Sequence, residues 1–452
     1  MKSISAEKAR TFTAVCVVTV LVLFAGVAAI NAVVDPFGMF RIVTVDGVNA
    51  VKPAIFNRVR LMKAYDVRRL RPRSIILGSS RVHLGLSPSH RAWGPESRPV
   101  YNLAFDGATT KEMYHYLRHA HAVRPLRQVV LGLDTYHPTA APSATRPGFN
   151  PQLLYQSSSA LSRLRALAGD AKLLFNLDTL RESVRTLRSQ DRKGADWFAD
   201  DGQRLGPQFF RRPTESYTQH GPRHYFDEID KLEVRFQLEW RIPPPPQIHR
   251  AVKPQATKDA ATSLDYIERI VRFCRAQGVD LRIFITPSHV HQLEIAAAAG
   301  SWPSIENGKR ALVKMLAANA ATHGSPFPLW DFSGYSAITT EALPPVGSHV
   351  EMWYYWDSSH FKQRVGDRVL QTILSNDPAV RNAVNDFGVR LSADNIEREL
   401  EKIRRRQELY RQARAEEIGR IRRLVDSFAR ENGIMLDDDA FASSGAAPQP
   451  SN

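Results

Sequence analysis

The chain has 452 residues, 43% of them hydrophobic and 24% charged, and 61 Lys and Arg against 46 Asp and Glu leave a formal charge of +15. These are the proportions of a globular protein long enough for one large domain or two smaller ones around a real core. Two cysteines exclude a disulfide framework and no metal-ligand spacing is present, while the positive excess favours acidic partners: anionic lipid, acidic polysaccharide or nucleic acid.

From Thr11 to Val34 runs a stretch of 24 residues without a charge. A helix rising about 1.5 Å per residue crosses a hydrocarbon core of roughly 30 Å with that length. The run exceeds the apolar region of an ordinary signal peptide, so an uncleaved anchor is expected, with a cleavage site near Ala28 and Ala29 as the alternative. Lys2, Lys8 and Arg10 precede it, and only Arg41 and Lys52 follow closely. That asymmetry places the N-terminus inside and the bulk of the chain outside, which is a single-pass protein of the inner membrane facing the periplasm or exterior. Arg58, Arg60, Lys63, Arg68, Arg69, Arg71 and Arg73 form a basic collar at the headgroups or a solvated helix face.

Beyond a linker, a helix is expected from Asn57 to Leu70, which makes 35–72 a linker and basic helix. Apolar strands follow at RSIILGSS, PVYNLAF and RQVVLGLD, then at DLRIFITP and PLWDFS, with helices at Thr110–Ala122, Ser263–Gly278 and Asn307–His323. Short apolar strands alternating with helices predict an α/β fold with a parallel sheet covered on both faces, over 73–385. Between about 138 and 262 the pattern lapses into an insertion containing basic helical pieces and the Pro-rich stretch Arg241 to Gln247, a place for specificity. One long amphipathic helix is expected over 393–431 and a disordered tail over 439–452.

In an open parallel sheet, ligands bind beyond the carboxyl ends of the strands. The first strand ends at Gly78-Ser79-Ser80-Arg81, the second at Asp106-Gly107 and the third at Asp134; Asp357-Ser358-Ser359-His360 precedes the last helix. A serine hydroxyl needs a base, and a histidine base needs a carboxylate to hold its ring. Ser80 as nucleophile, His360 as base and Asp357 as its orienter satisfy both needs, with the backbone N–H groups of Ser80 and Gly107 as oxyanion donors. The plainer readings are that Ser80 and Asp357 cap the helices that follow them and that His360 is a surface residue. Arg81, Asp134 and His289 are candidate cleft residues, with His291 nearby and no metal partner for either histidine. Trp353, Tyr354, Tyr355 and Trp356 suit sugar stacking or core packing.

Strand-Gly-Ser-Ser-Arg near the start, a Gly after the second strand and Asp-x-x-His near the end resemble the SGNH hydrolase superfamily. That resemblance implies a flavodoxin-like fold with Ser80, Asp357 and His360 as the catalytic triad, Gly107 at the oxyanion hole and no cofactor. A single membrane helix before such a domain is similar to the alginate O-acetylation proteins and the D-alanyl transfer protein of teichoic-acid modification. Two positions depart from the pattern: Ser79 replaces the usual Asp of the first block, and Asp134 stands where the third block has Asn. An ionised Asp cannot donate a hydrogen bond to an oxyanion. The implied function is an esterase or O-acyltransferase acting on cell-envelope polysaccharide, beside a membrane-bound O-acyltransferase. The alternative is an inactive SGNH-like glycan-binding or scaffold protein for such an enzyme. A nucleic-acid binder is disfavoured by dispersed arginines and the absence of a reader motif.

Overall fold

The computed structural model describes residues 6–134, 143–155, 159–190, 198–205, 215–241, 261–375 and 387–436. The expected tail at 439–452 and nearly all of the Pro-rich stretch lie outside them. The elements run α1 (Ala6–Val34), α2 (Val59–Leu70), β1 (Ser74–Leu77), α3 (Ser80–Gly85), β2 (Val100–Asn102), α4 (Thr110–Val123), β3 (Gln128–Leu133), α5 (Ala160–Leu174), α6 (Leu177–Leu187) and α7 (Glu215–Leu238). Then come α8 (Ser263–Ala276), β4 (Asp280–Ile285), α9 (Val290–Ala298), α10 (Trp302–His323), β5 (Leu329–Asp331), α11 (Gln363–Leu374), β6 (Val389–Leu391), α12 (Ile396–Ala413) and α13 (Ala415–Glu431). The chain divides into two compact units.

The first unit comprises Met1–Arg71, Arg118–Arg124 and Pro147–Trp197. Its helix α1 is long and apolar enough to cross a membrane, with a mean hydropathy of 2.7 over its most apolar stretch and nothing of that stretch buried. The end of α1 is fixed by polar contacts. Lys52 Nζ donates to the carbonyls of Val34 and Asp35 at 2.8 Å, and the Asp35 carboxylate accepts from the backbone of Met39, Phe40 and Arg41. Three members of the expected basic collar are engaged within the unit: Lys63 is buried, Arg68 pairs with Asp170 at 2.9 Å, and Arg69 pairs with Asp66 at 2.8 Å. Arg68 and Arg69 thus find carboxylate partners inside the unit, and Arg69 keeps about a third of its side chain exposed, 35%.

The second unit, Pro72–Leu117, Pro125–Arg146 and Phe198–Asn452, is built on one six-stranded sheet in the order β2-β1-β3-β4-β5-β6. The first five strands are parallel, and their order is the flavodoxin-like doubly wound one. The sheet is mixed, not wholly parallel as expected, because β6 pairs antiparallel to β5 through Leu329 and Leu391. An antiparallel strand is tolerated at this edge because β6 is only partly buried. Strands β1 and β3 carry near-continuous apolar runs, as strands covered on both faces do, whereas β4 becomes continuous only from Ile283, after the partly exposed Asp280 and Arg282.

Two local features place the site. Helix α8 starts at a capping box in which Thr262 and Asp265 satisfy each other's backbone N–H, which orients the run into β4. Helices α3 and α11 meet backbone to backbone. A Cβ at Gly366 would lie 1.8 Å from the Gly85 carbonyl oxygen, and one at Gly85 would lie 1.9 Å from the Phe361 ring. Only glycine permits that approach, which brings the segment carrying Ser80 against the one that follows His360.

The single C-terminal helix expected from the sequence is two helices broken at Arg414, whose φ of −127° is not helical. The apolar stripe changes partner there. Ile403 and Tyr410 of α12 pack with Trp302 and Tyr335, whereas Ile421, Val425 and Ala429 of α13 pack on Val234 and Leu238 of α7 and Ile295 of α9.

Candidate active site

Ser80 is the first residue of α3, immediately beyond β1. The helix cap is Ser79, whose side chain accepts from the Arg81 backbone N–H. Capping is therefore assigned to the neighbour, and the Ser80 hydroxyl lies 2.8 Å from His360 Nε2. The other ring nitrogen, Nδ1, lies 2.9 Å from Asp357 Oδ2. With the proton on Nδ1 donated to the carboxylate, Nε2 is left to accept from the serine, which is the tautomer a general base needs.

Asp357 caps no helix, contrary to the plainer sequence reading: α11 begins at Gln363 with Lys362 as its cap. The Asp-Ser-Ser-His run is a tight loop instead. Asp357 Oδ1 accepts from the backbone N–H of Ser359 at 2.7 Å and of His360 at 2.9 Å, and the loop is closed by a bridge between Tyr355 and Phe361. Asp357 is fully buried, so its charge is compensated inside this loop and by the imidazole. Burial and the Asp357 charge together hold the phenol of Tyr225, on α7, well above its ordinary pKa.

Arg81 and Asp134 do not line a cleft as free groups. Arg81 Nη1 lies 2.8 Å from Asp134 Oδ2, and its Nε donates to the Ser359 carbonyl at 3.1 Å. Asp134 also accepts from the Thr286 hydroxyl at 3.2 Å. Behind Arg81 stands Glu233 of α7, which accepts from the Ser359 hydroxyl; Ser359 in turn accepts from Gln292. Burial raises the Glu233 pKa, and the Arg81 charge opposes that rise. The arginine thus ties the end of β3, the Asp357–His360 loop and α7 into one network.

Gly107 sits exposed after β2 with φ of +62°, in the left-handed region that favours glycine. Beside it, Asp106 pairs with Arg204 and lies 3.3 Å from His83 Nδ1. Burial would raise the Asp106 pKa, but His83 and Arg204 outweigh it and hold the carboxyl far below its usual range.

His289 is the N-cap of α9. It is fully buried, its Nε2 donates to the Glu341 carbonyl at 2.8 Å and its Nδ1 accepts from His291 N–H, so burial pushes its pKa down to about 3. His291 is held between Asp230 of α7 at 2.8 Å and Glu417 of α13. Burial works against the charged ring there, but the two carboxylates outweigh it and push the pKa up to about 9. Of the aromatic run, Tyr355 is core and donates to the Pro287 carbonyl, whereas Trp353 is exposed under the Arg364 guanidinium.

Sequence reasoning missed Tyr225, Asp230 and Glu233, all on α7 inside the region read as an insertion. The available signal was the i, i+3, i+6 acidic stripe of Asp227, Asp230 and Glu233 on one helix face. Among the described residues, no group of three or more His, Cys, Asp or Glu side chains is placed to hold a metal ion. No protein-family model matches this sequence, and no curated protein is significantly similar to it.

Proposed function

We propose that the chain is a membrane-anchored serine esterase or O-acyltransferase of SGNH type, acting on cell-envelope polysaccharide through an acyl-serine intermediate. The observation that carries the proposal is the hydrogen-bonded run from Ser80 Oγ through His360 to buried Asp357. His360 Nε2 takes the hydroxyl proton as Ser80 Oγ bonds to the acyl carbonyl carbon. The tetrahedral oxyanion is met by the Ser80 backbone N–H, with Gly107 as the second candidate position. Collapse breaks the bond to the leaving alcohol, which takes its proton from His360 and leaves acyl-Ser80. Water or a glycan hydroxyl, deprotonated by the same imidazole, then attacks the acyl group and returns the serine. Helix α1 is read as a single-pass anchor of the inner membrane, with the N-terminus inside and the sheet unit on the periplasmic or outer side. A membrane-bound O-acyltransferase would supply the acyl donor.

The test is release of acetate from p-nitrophenyl acetate and from an O-acetylated acidic polysaccharide by the full chain in detergent micelles. The expected result is turnover that falls at least about 10³-fold in Ser80→Ala and in His360→Ala. A rate equal in parent and variants would contradict the proposal.

One observation favours a second reading, a non-catalytic glycan-binding or scaffold protein. Asp134 occupies the position where an SGNH enzyme has a donating Asn, and it is committed to Arg81. Binding of the polysaccharide by the parent, undiminished in Ser80→Ala and without acetate release, would select that reading.

A further inference from the structure

Helices α5 and α6 form a hairpin whose amphipathicity is inverted for a water-facing surface. On α6, the buried side is Thr179, Ser183 and Thr186, small hydroxyl residues. Its exposed side includes Leu177, Val184 and Leu187, with Leu177 at 65% exposure. On α5, Leu161, Leu164 and Leu167 are exposed at successive i, i+3 positions, Leu164 at 63%. In water, a helix buries its leucines and exposes its threonines and serines. In lipid the preference reverses, because acyl chains solvate Leu and Val while small residues let helices approach closely.

What the hairpin packs against is α1. Asn31 is a polar side chain near the end of the apolar helix and only 1% exposed. Its amide donates to the carbonyls of Leu174 at 2.8 Å and Asn176 at 3.3 Å, which flank the turn between α5 and α6. Its oxygen accepts from Ser183 at 2.9 Å. An amide in a span must find partners inside the protein, and the hairpin supplies all three, two from its turn and Ser183 from α6. Phe175, at the tip, stands edge-on to Phe24 with ring centroids 6.1 Å apart. Phe24 precedes the end of α1 at Val34 by about 15 Å of helix rise, roughly half of a hydrocarbon core. The backbone of the tip is level with Asn31, three residues before that end, and the Phe175 ring reaches from there along the span to Phe24. Arg181, Arg185 and Arg188 line the exposed flank of α6 beside the leucines, the first two paired within the helix with Asp178 at 2.9 Å and Glu182 at 3.6 Å.

We infer that the α5–α6 hairpin is seated in the bilayer beside α1, its leucines and Phe175 in the acyl region and its arginines at anionic headgroups. The inference rests on reading α1 as a membrane span, and it makes the first unit a membrane-embedded base with more than one helix in contact with lipid.

The test uses the full chain, with Cys16→Ser to remove the exposed native thiol and Cys274 left buried, in phosphatidylcholine–phosphatidylglycerol vesicles. Spin labels are placed singly at Leu164→Cys and Val184→Cys, at Phe24→Cys on α1, and at Leu409→Cys on the exposed face of α12. Collisions with oxygen, which partitions into lipid, and with a water-soluble nickel chelate are measured for each. All four side chains are exposed, so the substitutions remove no core packing; Phe24→Cys gives up only the ring contact with Phe175, and the other three keep it. The expected result is that Leu164→Cys and Val184→Cys match Phe24→Cys, open to oxygen and closed to nickel, with Leu409→Cys the reverse. Nickel access at both hairpin sites with Phe24→Cys in lipid overturns the inference and leaves the span. Hairpin sites closed to both reagents overturn it in favour of a protein partner. Nickel access at Phe24→Cys overturns the span itself.

Discussion

Arg81 and Asp134 face each other at 2.8 Å across the carboxyl edge of the sheet, between the residue after the proposed nucleophile and the end of β3. The pair explains why an aspartate is acceptable where a donating side chain was expected. Arg81 also holds the Ser359 carbonyl, one residue before His360, so its influence on chemistry passes through the position of the imidazole. Arg81→Gln is expected to lower kcat by about 10–100-fold with KM within about twofold, as misplacement of a catalytic group does. Asp134→Asn is expected to lower stability by about 1–3 kcal/mol with no gain in turnover, because Arg81 loses its counter-charge. Steady-state kinetics with a melting curve decide both; a rise in kcat for Asp134→Asn would mean that position 134 does face the oxyanion.

Asp357 holds its own loop and the His360 ring with the same carboxylate. An asparagine keeps the oxygen that accepts from the Ser359 and His360 backbone but presents an N–H toward Nδ1, forcing the wrong tautomer. Asp357→Asn is therefore expected to leave the melting temperature close to that of the parent while turnover falls about 10³–10⁴-fold. A variant that retains a tenth of the parent rate would remove Asp357 from the mechanism.

His291 joins α7, α9 and α13 through Asp230 and Glu417, with a pKa near 9 in the fold against an ordinary value of 6.5. A raised pKa stabilises the fold fully below the unfolded value and ceases to do so as pH climbs through the folded one. The parent is expected to lose roughly 1–3 kcal/mol between about pH 6.5 and 9.5 from this group, and His291→Gln to show a flatter profile in that window. Glu417, whose pKa is lowered to about 2, works at the other end: its contribution is lost as pH falls toward that value. Denaturant midpoints across pH check both limbs, and identical slopes for parent and variant would contradict the assignment.

Gly366 lies where α11 meets α3. Gly366→Ala places a methyl group against the Gly85 carbonyl with no flexible side chain to move aside. The expected cost is about 1–3 kcal/mol, with a further loss of activity because α3 carries Ser80. An alanine variant as stable and active as the parent would mean that the two helices do not meet at this spacing.

Elements with a strong local period were readable in advance. The apolar runs of β1, β3 and β4 and the amphipathic pattern of Ser263–Ala276 state their own structure, because parallel strands buried on both faces and capped helices leave marks within a few residues. The pairing of Ser80 with His360, residues 280 apart, was reached only by asking which strand ends share an edge. What the sequence hid is tertiary. The acidic stripe of α7 marks Asp230 and Glu233 as one charged face, but nothing local says that Glu233 stands behind Arg81 or that Asp230 and Glu417 flank His291. The break at Arg414 follows from a change of packing partner, and the single stripe of apolar residues carries no sign of it. The α5–α6 pattern was visible as a basic helical stretch, but which side of it is buried depends on α1 and Asn31.

The most direct test of the central claim is intact-mass analysis of the full chain after reaction with a fluorophosphonate, compared with Ser80→Ala. The account predicts one phosphonyl group on the parent and none on the variant, because only a hydroxyl whose proton His360 can accept reacts at neutral pH. A folded parent that takes up no label, or a Ser80→Ala variant labelled as fully as the parent, would contradict it.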